Sequence, residues 1–266
     1  MVDERDIRRI VDRPEMIPGV FNYCDRWCER CPLTGRCSVY AIEGEWPDDS
    51  DARDPRNRAF WDRVGEVFAA TRGMILRTAE EMGVDLDDLA ATTDAVRAEE
   101  RARRERVDGH PLVQAAQEYV LAVHQWFEAS KGLFDEKSAD LVSAARMDLP
   151  GSDPEGEALD LTDLTDVVQW YHSLIYAKLR RALEPPDSDD PDLRDVFRRD
   201  ADGSAKVALI GMDRSMAAWS RLLDHFPDEE PAILDHLVHL ERLRTAAERA
   251  FPTARAFVRP GFDETP

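Results

Sequence analysis

SAKVALIGMDRSMAAWSRLLDHF (204–226) and EEPAILDHLVHLERLRTAAERAF (229–251), separated by Pro227-Asp228 alone, decide how this chain folds. Apolar residues recur at helical spacing in both, with Val207, Ile210, Ala217 and Leu222 defining a face in the first. A two-residue connection between segments of this length is too short for anything but antiparallel neighbours.

The same periodicity runs upstream. Residues 161–184 carry the stripe Leu164, Val168, His172, Ile175, Leu179 and stop at Pro185-Pro186. Pro111 opens another helix, with Leu112, Ala116, Val120, Val123 and Phe127 on one side and Gly132 as its expected stop. A shorter helix is expected over 135–147, and Pro150, Gly151, Pro154 and Gly156 mark 148–160 as a loop. Asp54-Pro55 reads as a helix start, followed by Phe60, Val64, Val67, Phe68, Met74 and Ile75, with Gly83 closing the segment. Residues 86–106 form a weaker helix ending in RAEERARRER, a solvated charged face. Alternating strand patterns are nearly absent. The expected fold is all-α, an antiparallel bundle of four to five long helices over 54–266, with residues 1–53 as an irregular N-terminal arm and 255–266 as an extended tail.

That arm holds all four cysteines, in YCDRWCERCPLTGRCSVY (23–40): Cys24, Cys28, Cys31 and Cys37. The formal net charge of −20 disfavours phosphate backbones and anionic lipid, so neither nucleic acid nor membrane is an expected partner. The start MVDERDIRR has no apolar signal region, and no apolar run approaches the roughly 18 residues of a membrane span. A reducing, cytoplasmic setting is therefore expected, where clustered cysteines are more often metal ligands than disulfides.

The spacing C-x3-C-x2-C-x5-C contains one C-x2-C pair, whereas a structural zinc site usually joins two such pairs across a dozen or more residues. Dense spacing suits a [4Fe–4S] cluster, whose four corners can be reached from one winding loop, and Cys31-Pro32 fits a ferredoxin-type run. Structural Zn²⁺ is the alternative. Gly35 is expected to allow the reversal that returns Cys37 to the others. Arg26, Arg30 and Arg36 would offset the negative charge of a four-thiolate centre, and Tyr23, Trp27 and Tyr40 would shield it. The first three cysteines share the C-x3-C-x2-C spacing of radical S-adenosylmethionine enzymes. That family resembles this chain no further: its motif follows the first strand of a β/α barrel, and here Cys37 can fill the iron position that the family leaves open.

Three residues of the bundle are candidate cofactor- or ligand-binding groups. His124 and His172 fall on the apolar stripes of different helices and could meet to bind a metal or to act as acid and base. Arg214 falls on the apolar face of 203–220 beside Asp213, where a charge must be paired or must bind a small anionic ligand. A di-iron bundle site needs two Glu-x-x-His motifs, which are lacking; Asp235, His236 and His239 are the nearest set. No phosphate-binding loop, dinucleotide fingerprint, nucleophile elbow or HExxH motif occurs, so the sequence selects no catalytic reaction. The function expected is a metal-binding protein whose cluster transfers electrons to a redox partner protein or senses a signal next to the bundle, with a non-catalytic structural zinc site as the alternative.

Overall fold

The computed structural model describes residues 4–44, 54, 56–83, 93–147, 150–185 and 190–263. Among these residues every regular element is helical, and no helix is long and apolar enough to cross a membrane. The helices are α1 (Glu4–Val11), α2 (Ser38–Gly44), α3 (Arg58–Glu81), α4 (Thr93–Asp108), α5 (Pro111–Ala129), α6 (Lys131–Met147), α7 (Pro154–Leu183), α8 (Pro191–His225) and α9 (Glu230–Ala250). The chain divides into two compact units, Met1–Ala102 with Val258–Pro266, and Arg103–Phe257. The sequence placed its boundary between 53 and 54, at the edge of a stretch outside the described residues.

In the Arg103–Phe257 unit, α7 and α8 pack along each other most extensively, with α5 and α9 completing the core and α6 lying against α7. The expected α7 stripe faces inward, with Val168, Ile175 and Leu179 buried beside Tyr171. In α8 the expected face is rotated: Ile210 is half-buried and Ala217 exposed, whereas Val207 and Leu222 are buried together with Leu209, Met212 and Trp219. Burying each such side chain contributes about 1.5–3 kcal/mol. Gly211 lets the two helices close in. A Cβ at that position would lie 3.0 Å from the ring of Tyr171 and 3.1 Å from Ile175.

The helix starts show where sequence punctuation misleads. Asp153-Pro154 and Asp190-Pro191 each place a carboxylate at the N-cap and proline in the first turn. Asp153 accepts from the Gly156 N–H and Asp190 from the Asp192 N–H, both at 2.9 Å. Thus α7 begins within the stretch expected as a loop, and α8 begins well before Ser204. Gly132 is not a stop. The α5 helix ends at Ala129, and Gly132 lies in the first turn of α6, which starts four residues earlier than expected. The segment 86–92, expected to begin the weak helix, lies outside the described residues, as does Pro55.

An aromatic cluster fixes the turn between α8 and α9. Trp126 meets Trp219 edge-on at 4.8 Å, Phe134 meets Phe226 at 4.9 Å, and Trp219 stacks on His236 at 4.3 Å. The Trp126 indole N–H donates to Glu229 in that turn (3.2 Å), and the Trp219 indole N–H donates to the buried Tyr119 hydroxyl (3.0 Å). The short connection expected at Pro227-Asp228 is a single 3-10 turn, Pro227–Glu229.

The other unit is built differently. The N-terminal arm is not wholly irregular, because Glu4–Val11 is helical and packs on α2 through the buried Ile10. Three single 3-10 turns, Val20–Asn22, Cys28–Arg30 and Thr34–Arg36, carry the chain between α1 and α2. The α3 helix buries none of its residues; Trp61, Phe68 and Ile75, spaced by seven, are all exposed.

Candidate metal centre

The turns between α1 and α2 bring all four cysteines to one pocket. Gly19 (φ 74°) starts the first turn in the left-handed region. Arg26, rather than Gly35, takes the chain into the left-handed region. At φ 60° it is the one non-glycine residue with positive φ among the described residues, and it turns the chain between Cys24 and Cys28. Such a conformation costs an L-residue about 1–2 kcal/mol. Gly35 instead sits in the Thr34–Arg36 turn without positive φ, and nothing lies within 4 Å of where its Cβ would be.

All four cysteines are free and half-buried. The Cys31 N–H donates to the Cys28 carbonyl (3.2 Å), and the Cys37 N–H donates to that of Thr34 (3.2 Å). The Leu33 N–H points at Cys31 Sγ (3.4 Å), and the Cys24 thiol donates to the Phe21 carbonyl (3.4 Å). Burial pushes the Cys28 thiol up, and Glu43 and the other three cysteines add to the effect. Metal binding takes the thiolate form, so a bound cation would have to displace the Cys28 proton.

Of the aromatic shield expected from sequence, Trp27 and Tyr40 line the pocket and Tyr23 does not. Phe21 and Phe262 complete the wall. Phe262 comes from the tail, which is a folded turn rather than an extended strand. Arg259 and Asp263 close it with a paired guanidinium–carboxylate contact (2.9 Å), and the Arg259 guanidinium lies over the Phe262 ring at 4.9 Å. Gly261 (φ 74°) seats the turn against Ile17 and Leu33. Sequence spacing carries no signal for Phe262, because its role depends on tertiary closure from the far end of the chain.

The three arginines differ in what they do. Arg26 lines the pocket, Arg30 stacks over Trp27 at 3.8 Å, and Arg36 turns away to donate to the Glu15 carbonyl (3.1 Å). The cavity among the thiols is small, about 20 Å³. Among the described residues no group of three or more His, Cys, Asp or Glu side chains is set at single-ion geometry.

The other candidates lie in the Arg103–Phe257 unit. His124 and His172 do meet, Nε2 to Nε2 at 3.2 Å. His172 is buried as expected, but His124 is exposed, so the pair sits at the edge of the core rather than within it. Arg214 is not on the buried face. It is exposed, and its guanidinium donates to the Tyr171 hydroxyl and lies over that ring at 5.5 Å. Arg214 sits at the edge of the buried face of α8, and the neighbouring Asp213 holds the ion pairs, with Arg244 (3.2 Å) and Arg255 (2.6 Å). Those two guanidinium groups hold the Asp213 carboxyl below its usual range against the opposing effect of burial, which is the largest single influence on it. Asp235, His236 and His239 make no metal set: His239 bonds the Ala115 carbonyl at 2.8 Å and His236 stacks on Trp219. Comparison with protein-family models, with characterised proteins and with solved structures gives no match for this chain.

Proposed function

We propose that Cys24, Cys28, Cys31 and Cys37 ligate a [4Fe–4S] cluster that serves as an electron-transfer or sensing centre. The observation that carries this reading is that the chain's four cysteines, and no others, line one pocket walled by Phe21, Trp27, Tyr40 and Phe262. Thiolates are the donor set such a cluster takes, and burial, N–H···S bonds and nearby charge are the protein's means of setting its potential. The Leu33 N–H at Cys31 Sγ, the apolar wall and the cationic Arg26 and Arg30 supply those means here. When bound, the group supplies a one-electron couple. Tyr40, at the exposed edge of the wall, is where a redox partner protein would approach.

The dense C-x3-C-x2-C-x5-C spacing favours a cluster over one ion. One observation favours structural Zn²⁺ instead: a cavity of about 20 Å³ has room for a single ion and little more. Anaerobic purification followed by iron, zinc and sulfide analysis separates the two. The cluster reading expects a brown protein with about four irons and four sulfides per chain, bleached by dithionite. A colourless protein with one zinc per chain would replace it with the structural site. In either case Cys37→Ala should abolish the centre, and an unchanged centre in that variant would refute four-cysteine ligation.

A further inference from the structure

Six histidines occur in the chain, and four are occupied with structural work. His110 caps α5 by accepting from the Leu112 N–H (3.2 Å), and His225 lies against Asp160 (3.1 Å). His236 stacks on Trp219, and His239 bonds the Ala115 carbonyl. His124 on α5 and His172 on α7 are different, because their ring nitrogens face each other. We propose that this pair is a binding site for a borderline divalent transition metal of the Zn²⁺, Ni²⁺ or Cu²⁺ class, separate from the cysteine centre and completed by water.

Three features of the geometry carry the proposal. First, the tautomer of His172 is set. Its Nδ1 lies 2.6 Å from the Gln169 carbonyl, an acceptor only, so Nδ1 bears the proton and Nε2 presents its lone pair. A ligand histidine is commonly oriented in this way, by donating its other nitrogen to a carbonyl. Second, the nitrogen separation fits. Two imidazole nitrogens at about 2.0–2.1 Å from one ion, at angles between a right angle and the tetrahedral value, stand about 2.9–3.4 Å apart. The observed separation is 3.2 Å.

Third, the rings are tilted. A straight N–H···N hydrogen bond of this length would hold the ring centres about 5.5 Å apart. They are 4.8 Å apart with the planes at 87°, so the rings are turned away from a straight hydrogen bond along the line joining the nitrogens. Such a bend weakens a hydrogen bond, whereas a shared ion sits off the line joining its two nitrogens.

Burial supports the division of labour. His172 is 8% exposed and fixed by its backbone partner, while His124 is exposed and gives an ion access from solvent. Binding needs no net loss of a proton from the neutral pair. The proton that His124 would place between the rings moves to its own Nδ1 by exchange with water, and both Nε2 lone pairs go to the metal. Imidazole nitrogen suits this class of metal better than the hard cations Mg²⁺ or Ca²⁺.

The test is calorimetric titration of the full-length chain with Ni²⁺, comparing wild type with His124→Asn, His172→Asn and Cys28→Ala. Wild type should take up one Ni²⁺ that His124→Asn binds at least about tenfold more weakly. Cys28→Ala should retain that Ni²⁺, which keeps this result independent of what the cysteines hold. Because His172→Asn can disturb the core, His124→Asn at an exposed position is the decisive variant. Equal uptake by wild type and His124→Asn overturns the proposal, as does loss of the site in Cys28→Ala alone.

Discussion

Replacing Gly261 with alanine tests whether the terminal turn closes the cysteine pocket. The residue sits at φ 74°, where a Cβ costs about 1–2 kcal/mol. That Cβ would also lie 2.6 Å from Ile17 Cδ1 and 3.2 Å from Leu33 Cδ1. Both are the ends of flexible side chains, so the clash is relieved by rotating them off their preferred positions, at about 0.5–1.5 kcal/mol. The sum, about 2 kcal/mol, falls on the turn and not on the whole fold, and corresponds to about a 30-fold rise in the open population. The assay is the rate at which the four thiols of metal-free protein react with a chromogenic disulfide reagent. Gly261→Ala should accelerate the reaction by about that factor. Gly35→Ala, with ordinary φ and open space around it, should leave the rate unchanged. Equal rates in Gly261→Ala and wild type would refute the idea that Phe262 and its turn shield the site.

Two further outcomes concern the helical unit. Burial is the first cause, and the charge of His239 the second, that hold His236 down to about 4 despite the opposing Asp235. The unfolded chain takes up this proton below about 6.5 and the folded chain does not until about 4, so stability present at neutral pH is lost as pH falls across that window, by about 3 kcal/mol. Urea unfolding across the window should show His236→Phe, which keeps a ring against Trp219, losing less stability than wild type; parallel curves would refute the assignment. Gly211→Ala pushes into Tyr171 and Ile175, at about 1–3 kcal/mol for overpacking against about 1 kcal/mol gained in helix propensity. A net loss of about 1 kcal/mol should lower the melting temperature by about 2–4 °C, and a stabilised variant would show that α7 and α8 have slack.

The helical stripes were legible because core packing and local periodicity agree: Val168, Ile175 and Leu179 sit where the spacing puts them. Helix starts were misread at Asp153-Pro154 and Asp190-Pro191, where the same residues that punctuate loops also cap helices. The approach of His124 to His172 was readable from their stripes, but the exposure of one and burial of the other depends on how α5 and α7 are rotated. Arg214 illustrates the opposite error. It was assigned to the apolar face, but it lies at the edge of that face, about 20° around the helix from the buried Val207, where a long side chain reaches solvent. At the cysteines, composition and spacing identified the cluster of thiols, while the backbone turn at Arg26 has no sequence signature, because arginine has no preference for the left-handed region.

The origin of Phe262 in the last turn of the pocket wall bears on when the four thiols are covered. Synthesis delivers the four thiols early, and nearly the whole chain follows before the ring that covers them leaves the ribosome. During that interval the thiols are open to loading machinery and equally to oxidants and competing metals. Closure of the Arg259–Asp263 turn then ends the interval. Order of emergence therefore sets how long the four thiols stay uncovered.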